Sequence, residues 1–350
     1  MSALLDYLLA ILGISLLVIV HEGGHYLAAR AFGMRVIRFS IGFGPTLFKY
    51  RPKGSPTTFQ VAAIPFLAYV QIAGMNPQED VEPDDPELFP NKGVFARIIT
   101  IFAGPFANYL AASVVFFGIA LAGIPIQEAA EPMTVESVEA GSAAADAGIQ
   151  AGDVIVEANG GAVRDLDELI AATRHRAGQA TVYVVERDGT RLDPIRMTPH
   201  RAADGRGIIG VHAKLTRTYA PPMSVGAAAL LAVKFPYRFS LLQLEGLKRM
   251  ITAGDHGDIK GPVGMGKLVA QEAHRGPIDY LYIIVVISTA LGMFNLLPIP
   301  ALDGGRLVFL GYELVTRSRP NERFEATVHT VGLLFLLGVL VLVTFRDIWG

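Results

Sequence analysis

Residues 8–29, LLAILGISLLVIVHEGGHYLAA, form an almost uncharged run that contains His21-Glu22-Gly23-Gly24-His25. The length and apolar content of this run predict a helix that crosses a membrane. On a helix, two histidines four positions apart share one face and can hold Zn²⁺, and the carboxylate beside them can take a proton from water. Because three ionisable side chains at membrane depth are costly unless they serve a site, the run predicts metal-dependent hydrolysis within a membrane. The alternative is a bundle core in which the three side chains only bind one another.

The composition favours a membrane protein. Hydrophobic residues make up 51% of the 350 residues and charged residues 18%, whereas about a quarter of a soluble protein is charged. The net charge of −2 gives no reason to expect a nucleic-acid partner. There is no cysteine, so any metal must be held by histidine and carboxylate groups. Asp6 stands where a signal peptide would carry basic residues, so we expect the first apolar run to be retained.

Four segments have the length and hydropathy of membrane-spanning helices, which predicts a polytopic α-helical membrane protein. Basic residues gather after the first segment and between the third and fourth, so the positive-inside rule makes both connections cytoplasmic. The zinc motif then lies toward the cytoplasmic face, and both termini lie outside. The predicted divisions are a first spanning helix (1–35), a membrane-associated β unit with an acidic loop (36–95), a second spanning helix (96–125), an inserted α/β domain (130–215), amphipathic extracytoplasmic helices (220–275), a third spanning helix (278–306) and a fourth (324–346).

Residues 36–74 are neither a spanning helix nor a polar loop. Residues 46–50 and 57–64 are rich in strand-forming side chains and flank a turn sequence, and residues 66–72 form a third extended piece after Pro65. An open sheet edge cannot face lipid, so this unit must pack on helices or line a protein cavity. Two interpretations stay open: a simple cytoplasmic hairpin, or an edge strand that pairs with an extended substrate.

Residues 130–215 change to the pattern of a soluble α/β domain. The sequence GSAAADAGIQAGDVI (141–155) resembles a PDZ domain of the bacterial protease-associated kind, and residues 207–211 would close the unit beside its peptide groove. The resemblance implies that a peptide or a C-terminus is captured by strand addition; a steric plug without a ligand is the alternative. Residues 220–275 are expected to form surface helices near the outer leaflet, although their basic residues also suit an ordinary solvated face.

A third metal ligand is needed, because a catalytic zinc site usually has three protein ligands and an open position. Residues 295–305, NLLPIPALDGG, carry one of the few carboxylates near a predicted span, Asp303. Two prolines prevent a regular helix there, and an unwound segment at membrane depth is tolerated where it lines a cavity. Asp303 could instead cap a helix that begins at Gly304.

Together, the His21–His25 motif and residues 295–305 resemble the site-2 protease family of intramembrane zinc metalloproteases, in particular its regulator of sigma-E protease type. Three further segments match that type: 104–108 (GPFAN), 261–264 (GPVG), and Pro65 through Tyr69-Val70. The likeness covers nearly the whole chain, although some relatives carry two PDZ domains where this chain has room for one.

This resemblance implies a function and a set of site residues. His21, His25 and Asp303 would be the zinc ligands and Glu22 the general base, while Asn295, Tyr69 and Val70 would contact the substrate. The expected substrates are single-span proteins in a bacterial inner membrane, such as anti-sigma factors or signal-peptide remnants. The alternatives are a membrane-anchored PDZ adaptor with a non-catalytic zinc site, and a metal or proton transporter, which would usually show two similar halves.

Overall fold

The computed structural model describes residues 3–75, 79, 82–202, 204–253 and 261–349, with the backbone alone at 3, 65–67, 251 and 322. Parts of the predicted acidic loop and of the 220–275 segment therefore lie outside the described residues.

Two compact units are present, Met1–Ile124 with Pro221–Gly350, and Pro125–Ala220. In chain order the elements are α1 (Ala3–Ala31), β1 (Val36–Tyr50), β2 (Thr58–Ile72), α2 (Val94–Ala122), β3 (Pro125–Ala129), β4 (Val135–Val138), α3 (Ala143–Asp146), β5 (Val154–Ala158), β6 (Gly161–Ala162), α4 (Leu166–Thr173), β7 (Thr181–Arg187), β8 (Thr190–Arg191), β9 (Ile195–Met197), β10 (His200–Arg201), β11 (Gly207–Ile208), β12 (Val211–Ala213), β13 (Leu215–Tyr219), α5 (Val225–Ala253), α6 (Pro262–Arg275), α7 (Pro277–Leu296), α8 (Asp303–Thr316) and α9 (Glu322–Trp349).

Five helices among the described residues are long and apolar enough to cross a membrane, where four were predicted. They are Leu4–Ala31, Val94–Ala122, Val225–Met250, Pro277–Leu296 and Arg323–Trp349. The additional candidate lies in α5, one continuous helix in a segment expected to hold surface helices. Its apolar face packs on α2, because Ala232 and Phe235 join a core with Phe116 and Ile119. Helix α7 ends at Leu296, so within the 278–306 division the helix stops before the prolines, where the sequence predicted a break.

Helices α1 and α2 are antiparallel and touch through small residues. His25 lies beside Thr100, and His21 lies beside Asn108, so the two chains run in opposite directions. The contact is close because a Cβ atom built on Gly24 would lie only 2.1 Å from the main-chain oxygen of Ala103. Gly23, its neighbour, has no atom within 4 Å of such a Cβ. The paired glycines of the motif therefore have different roles, and only Gly24 sets the approach of the helices.

We expect Gly24→Ala to destabilise the protein by about 1–3 kcal/mol, the usual cost of overpacking a close contact. Gly23→Ala is its matched control and should be neutral or slightly stabilising, because alanine favours a helix over glycine by roughly 0.8–1 kcal/mol. Thermal unfolding of both variants in the same detergent measures the difference. Equal shifts of the unfolding midpoint in the two variants would contradict this account.

The two basic connections of the membrane unit meet at one end of the bundle. Arg97, at the start of α2, donates to the Glu313 carboxylate of α8 at 2.9 Å. Arg319, which follows α8, donates to the Pro90 carbonyl at 2.8 Å. At the other end, His274 before α7 lies 3.0 Å from Asp6 near the start of α1. Helix α7 therefore starts from the same end as α1, which agrees with the predicted grouping of the two connections.

Strands β1 and β2 each bend and build a sheet of four segments, in which the two middle segments run parallel and each outer segment is antiparallel to its neighbour. The order across the sheet is 46–50, 58–64, 36–43 and 68–72, as the register shows. Three of these segments match the predicted pieces, whereas 36–43 was not predicted as a strand. Segment 68–72 is an edge of the sheet, and its free side faces α1, where the Val70 N–H donates to the Glu22 carboxylate at 2.9 Å. The edge segment thus lies against the zinc motif.

The second unit, Pro125–Ala220, has its own core. Strands β6, β5, β7 and β8 form one sheet, to which β9 adds through β7. The core contains Ile155, Tyr183 and Val185, all fully buried. Residues 207–211 end in β12, which pairs with β4, and the Ile209 carbonyl accepts from the Ala144 N–H. The unit has the size and the β-rich character expected of the inserted domain.

An ion pair between a half-buried arginine and a buried aspartate links two parts of the second unit. Arg187 donates to both carboxylate oxygens of Asp153, at 2.7 and 2.9 Å. These hydrogen bonds hold the pKa of Asp153 below its ordinary value. Since the folded pKa is the lower one, the stabilisation is complete above the pKa of an unfolded aspartate and is lost as pH falls through the folded pKa.

Candidate metal centre

Three side chains converge between α1 and the start of α8. The Nε2 atom of His21 lies 3.1 Å from Oδ2 of Asp303, and that of His25 lies 3.3 Å from the same oxygen. The two Nε2 atoms are 3.3 Å apart. Both histidines are buried. Among the described residues this is the one group of three potential ligands whose atoms all lie within 4.8 Å of one another.

The orientation of His25 is fixed from α2. Its Nδ1 lies 2.8 Å from the Thr100 carbonyl oxygen. Because a carbonyl only accepts, Nδ1 carries the proton and donates, and Nε2 is left with its lone pair. That lone pair points toward Asp303 and His21. Such an arrangement of buried lone pairs is favourable only when a cation or a proton lies among them.

Asp303 reaches the histidines because the chain breaks after α7 and turns sharply. Residues 297–302 are not helical, and α8 begins at Asp303. A Cβ atom on Gly304 would lie 2.0 Å from the Leu297 carbonyl oxygen, so only glycine allows this close return. Leu302 occupies the N-cap position, and the Asp303 carboxylate is directed to the histidines. The predicted break is therefore present, and the capping alternative does not describe it.

The geometry fits a zinc ion. Zinc bonds of about 2.0–2.2 Å at tetrahedral angles separate ligand atoms by roughly 3.3–3.5 Å, close to the three separations observed here. The buried Oδ2 atom of Asp303 has no hydrogen-bond partner among the described residues. Two imidazoles with one carboxylate are also a ligand set that zinc prefers. The residues present therefore suit zinc with a position left for water.

The four other predicted site residues differ in how they relate to this centre. Glu22 follows His21 on α1 and accepts the Val70 N–H of the edge segment. The Tyr69 hydroxyl faces the sheet instead, where it accepts from Arg38 at 3.2 Å. Asn295 lies in the last turn of α7 and donates to the Leu291 carbonyl at 2.9 Å. Val70 is thus brought to the zinc motif directly, whereas Tyr69 and Asn295 bind their own elements.

The structure adds residues to which the sequence assigned no role. Thr100 and Asn108 of α2 contact the two histidines. His329 of α9 accepts the Ala301 N–H at 2.9 Å and so holds the broken segment from the other side. Asn108 belonged to a segment that matched the family, but its contact depends on how α1 crosses α2. The backbone carbonyl of Thr100 gave no signal in the sequence.

Comparison with known proteins gives a match over most of the chain. A family model described as Peptidase family M50 matches residues 9–339. A candidate zinc metalloprotease of Nostoc sp. is 31% identical over 363 residues, covering 98% of this chain and 96% of the relative. Another, from Mesorhizobium japonicum, is 32% identical over 365 residues and covers 96% of each chain. The match therefore spans both units and includes all the residues of the metal centre.

Among solved structures, the PDZ domain of the SdrC-like protein from Listeria monocytogenes is similar in part. It is 22% identical and covers 24% of this chain and 88% of its own, with a TM-score of 0.22. A TM-score this low does not establish a common fold.

Proposed function

Because the chain belongs to peptidase family M50, the site-2 protease family, we propose that it is an intramembrane zinc metalloprotease that cuts the spanning segments of single-span membrane proteins. The observation that carries the proposal is the convergence of His21, His25 and Asp303 beside Glu22. The motif lies in a helix with the length and hydropathy of a membrane span. A peptidase site on such a helix is suited to substrates that lie in the bilayer themselves.

The chemistry follows from the side chains present. His21, His25 and Asp303 would hold zinc, which when bound supplies a Lewis acid for the peptide carbonyl and for water. Glu22 takes the proton from the attacking water and then passes it to the leaving amine. Both histidines are buried, and Glu22 lies beside the edge segment, where it accepts the Val70 N–H.

A substrate helix must unwind before it can be cut, because its peptide groups are already bonded within the helix. Segment 68–72 is an edge of the sheet, and an unwound substrate that pairs with it would take over the Val70 N–H, which now donates to Glu22. We propose that Val70 and Asn295 contact the substrate backbone. The Tyr69 hydroxyl, bound to Arg38, would keep the edge segment aligned.

The second unit and the location complete the proposal. We propose that Pro125–Ala220 is a PDZ domain that captures a peptide or a new C-terminus outside the membrane, since its sequence carries the GSAAADAGIQAGDVI pattern. The proposed location is a bacterial cytoplasmic membrane, in lipid contact on several helices, because the relatives are bacterial and five helices suit a bilayer. The basic connections would face the cytoplasm.

The decisive experiment uses a single-span substrate with a tag at each end, reconstituted in liposomes with the full-length protein and zinc. We expect mass spectrometry to find the cut inside the span. A Gly-Pro pair introduced within the span should raise the cleavage rate about tenfold or more, because proline costs a helix roughly 3 kcal/mol. The matched control carries the same pair just outside the span and should be cut at the original rate.

Two results would contradict the proposal. Cleavage only in the segments outside the bilayer would indicate a membrane-anchored protease of soluble chains. Stoichiometric zinc without cleavage of any single-span substrate would favour the PDZ adaptor with a non-catalytic metal site.

A further inference from the structure

Asn108 of α2 is a fully buried side chain that lies against the metal centre. Its amide nitrogen is 3.2 Å from Nδ1 of His21. Its side-chain oxygen is buried and has no hydrogen-bond partner among the described residues. The main-chain oxygen of Asn108 is bonded separately, because it accepts from the Ser288 hydroxyl at 2.9 Å. The side chain therefore has one contact with a proposed zinc ligand and one unsatisfied polar atom.

The state of His21 decides which amide atom should face it. The Nε2 atom of His21 points to Asp303 and His25, at 3.1 and 3.3 Å. A metal takes a lone pair from that nitrogen, so the ring proton must sit on Nδ1. A protonated Nδ1 is a donor and needs an acceptor, and an amide NH₂ group is not one.

Asparagine resolves this conflict without any change in packing. The oxygen and the nitrogen of its amide have nearly the same shape, and which is which is inferred from the hydrogen bonds rather than from the outline. A half-turn about the last side-chain bond brings the oxygen of Asn108 opposite Nδ1–H of His21. The unsatisfied buried oxygen then has a partner, and His21 has the tautomer that can bind a metal.

We propose that Asn108 is a positioning residue of the metal centre, whose side-chain oxygen accepts Nδ1–H of His21 and holds Nε2 toward Asp303. The inference rests on the proposed zinc ligands but not on proteolysis. In metal sites, an acceptor for the N–H of the ring nitrogen that does not bind the metal sets the ring orientation and the tautomer of a histidine ligand.

Helix α2 then supports both histidines, by different means. For His25 the acceptor is the main-chain carbonyl of Thr100. For His21 the acceptor is a side chain, eight positions along the same helix. Gly104 lies between them, and a Cβ atom there would meet the His25 ring at 2.3 Å. The Thr100 carbonyl and the Asn108 side chain thus reach the two histidines from either side of Gly104, and Asn108 is the support that a substitution can remove.

The test measures zinc affinity of the purified full-length protein by competition with a chromophoric chelator, so it needs no cleavage assay. Asn108→Leu keeps the shape but has no acceptor, and we expect zinc to bind 10–100-fold more weakly, as when other outer partners of ligands are removed. Asn108→Asp can only accept, and we expect zinc to bind at least as tightly as in the parent protein. Ser288→Ala, which leaves the Asn108 side chain in place, is the control and should stay within about twofold.

The two variants show whether the Asn108 side chain acts as a hydrogen-bond acceptor, as a donor, or only by filling space. Unchanged affinity in Asn108→Leu overturns the proposal, because the acceptor would then be dispensable. A loss in Asn108→Asp equal to that in Asn108→Leu also overturns it, because the amide would then act as a donor or as filler. Should Asn108→Leu fail to fold, Asn108→Asp alone decides: affinity at or above that of the parent supports the proposal, and a tenfold loss contradicts it. Absence of proteolysis in the parent would leave these affinities fully interpretable.

Discussion

Glu22→Gln should lower the cleavage rate of a single-span substrate by a factor of about 10²–10⁴, the contribution of a well-placed general base. The amide keeps the size of the side chain and its oxygen can still accept the Val70 N–H, which lies at 2.9 Å in the parent protein. It cannot take a proton from water. The loss should therefore appear in the rate and not in the fold or in the zinc content, and a liposome assay with metal analysis separates these quantities.

The matched control for this variant is Glu136→Gln, an exposed glutamate of the second unit. It removes the same charge far along the chain from the motif and should leave the rate unchanged. Full activity in Glu22→Gln would remove Glu22 from the role of base. Loss of zinc in Glu22→Gln would instead mean that the carboxylate helps to hold the metal.

Asp303→Ala should abolish stable zinc binding, because it removes one of the three atoms that surround the proposed ion. The expected loss of affinity exceeds the 10–100-fold cost of losing an outer partner. The variant also loses the stabilisation that a bound ion gives to the folded state, so added zinc should raise the unfolding midpoint of the parent but not of the variant. Equilibrium dialysis and thermal unfolding measure the two effects independently.

Asp193→Ala is the matched control, since Asp193 is an exposed aspartate of the second unit. It should bind zinc as the parent does. Normal zinc stoichiometry in Asp303→Ala would exclude Asp303 from the ligand set and leave only the two histidines of α1. In that case the contact between Asp303 and the histidines would be an ordinary buried hydrogen-bonded cluster.

Much of the candidate metal centre could be predicted from the sequence, because ionisable side chains are rare in membrane-spanning segments. Such side chains are costly at membrane depth unless they serve a site, so His21 and His25 stand out in the apolar run. Asp303 could be found for the same reason, together with the two prolines that break the helix before it. The membrane-associated sheet was predictable in part, since 46–50 and 57–64 flank an obvious turn.

Other features depend on contacts between distant segments. Segment 36–43 includes Arg38 and Gly42, so its local pattern does not indicate a strand that is paired on both sides. Helix α5 carries several basic residues, which favoured a surface position, but its packing on α2 decides its length and place. The partner of Asn108 is set by the crossing of α1 and α2, which no local pattern encodes.

The division of the metal centre between α1 and α8 has a consequence for biosynthesis. The proposed base and two of the proposed ligands lie in α1, whereas Asp303 is made much later, at the start of α8. Until α7 and the start of α8 have been made, the nascent protein holds only two of the three proposed ligands. Under the proposed function, translation itself would delay peptidase activity, and an unfinished chain would be unable to attack the membrane proteins inserted beside it.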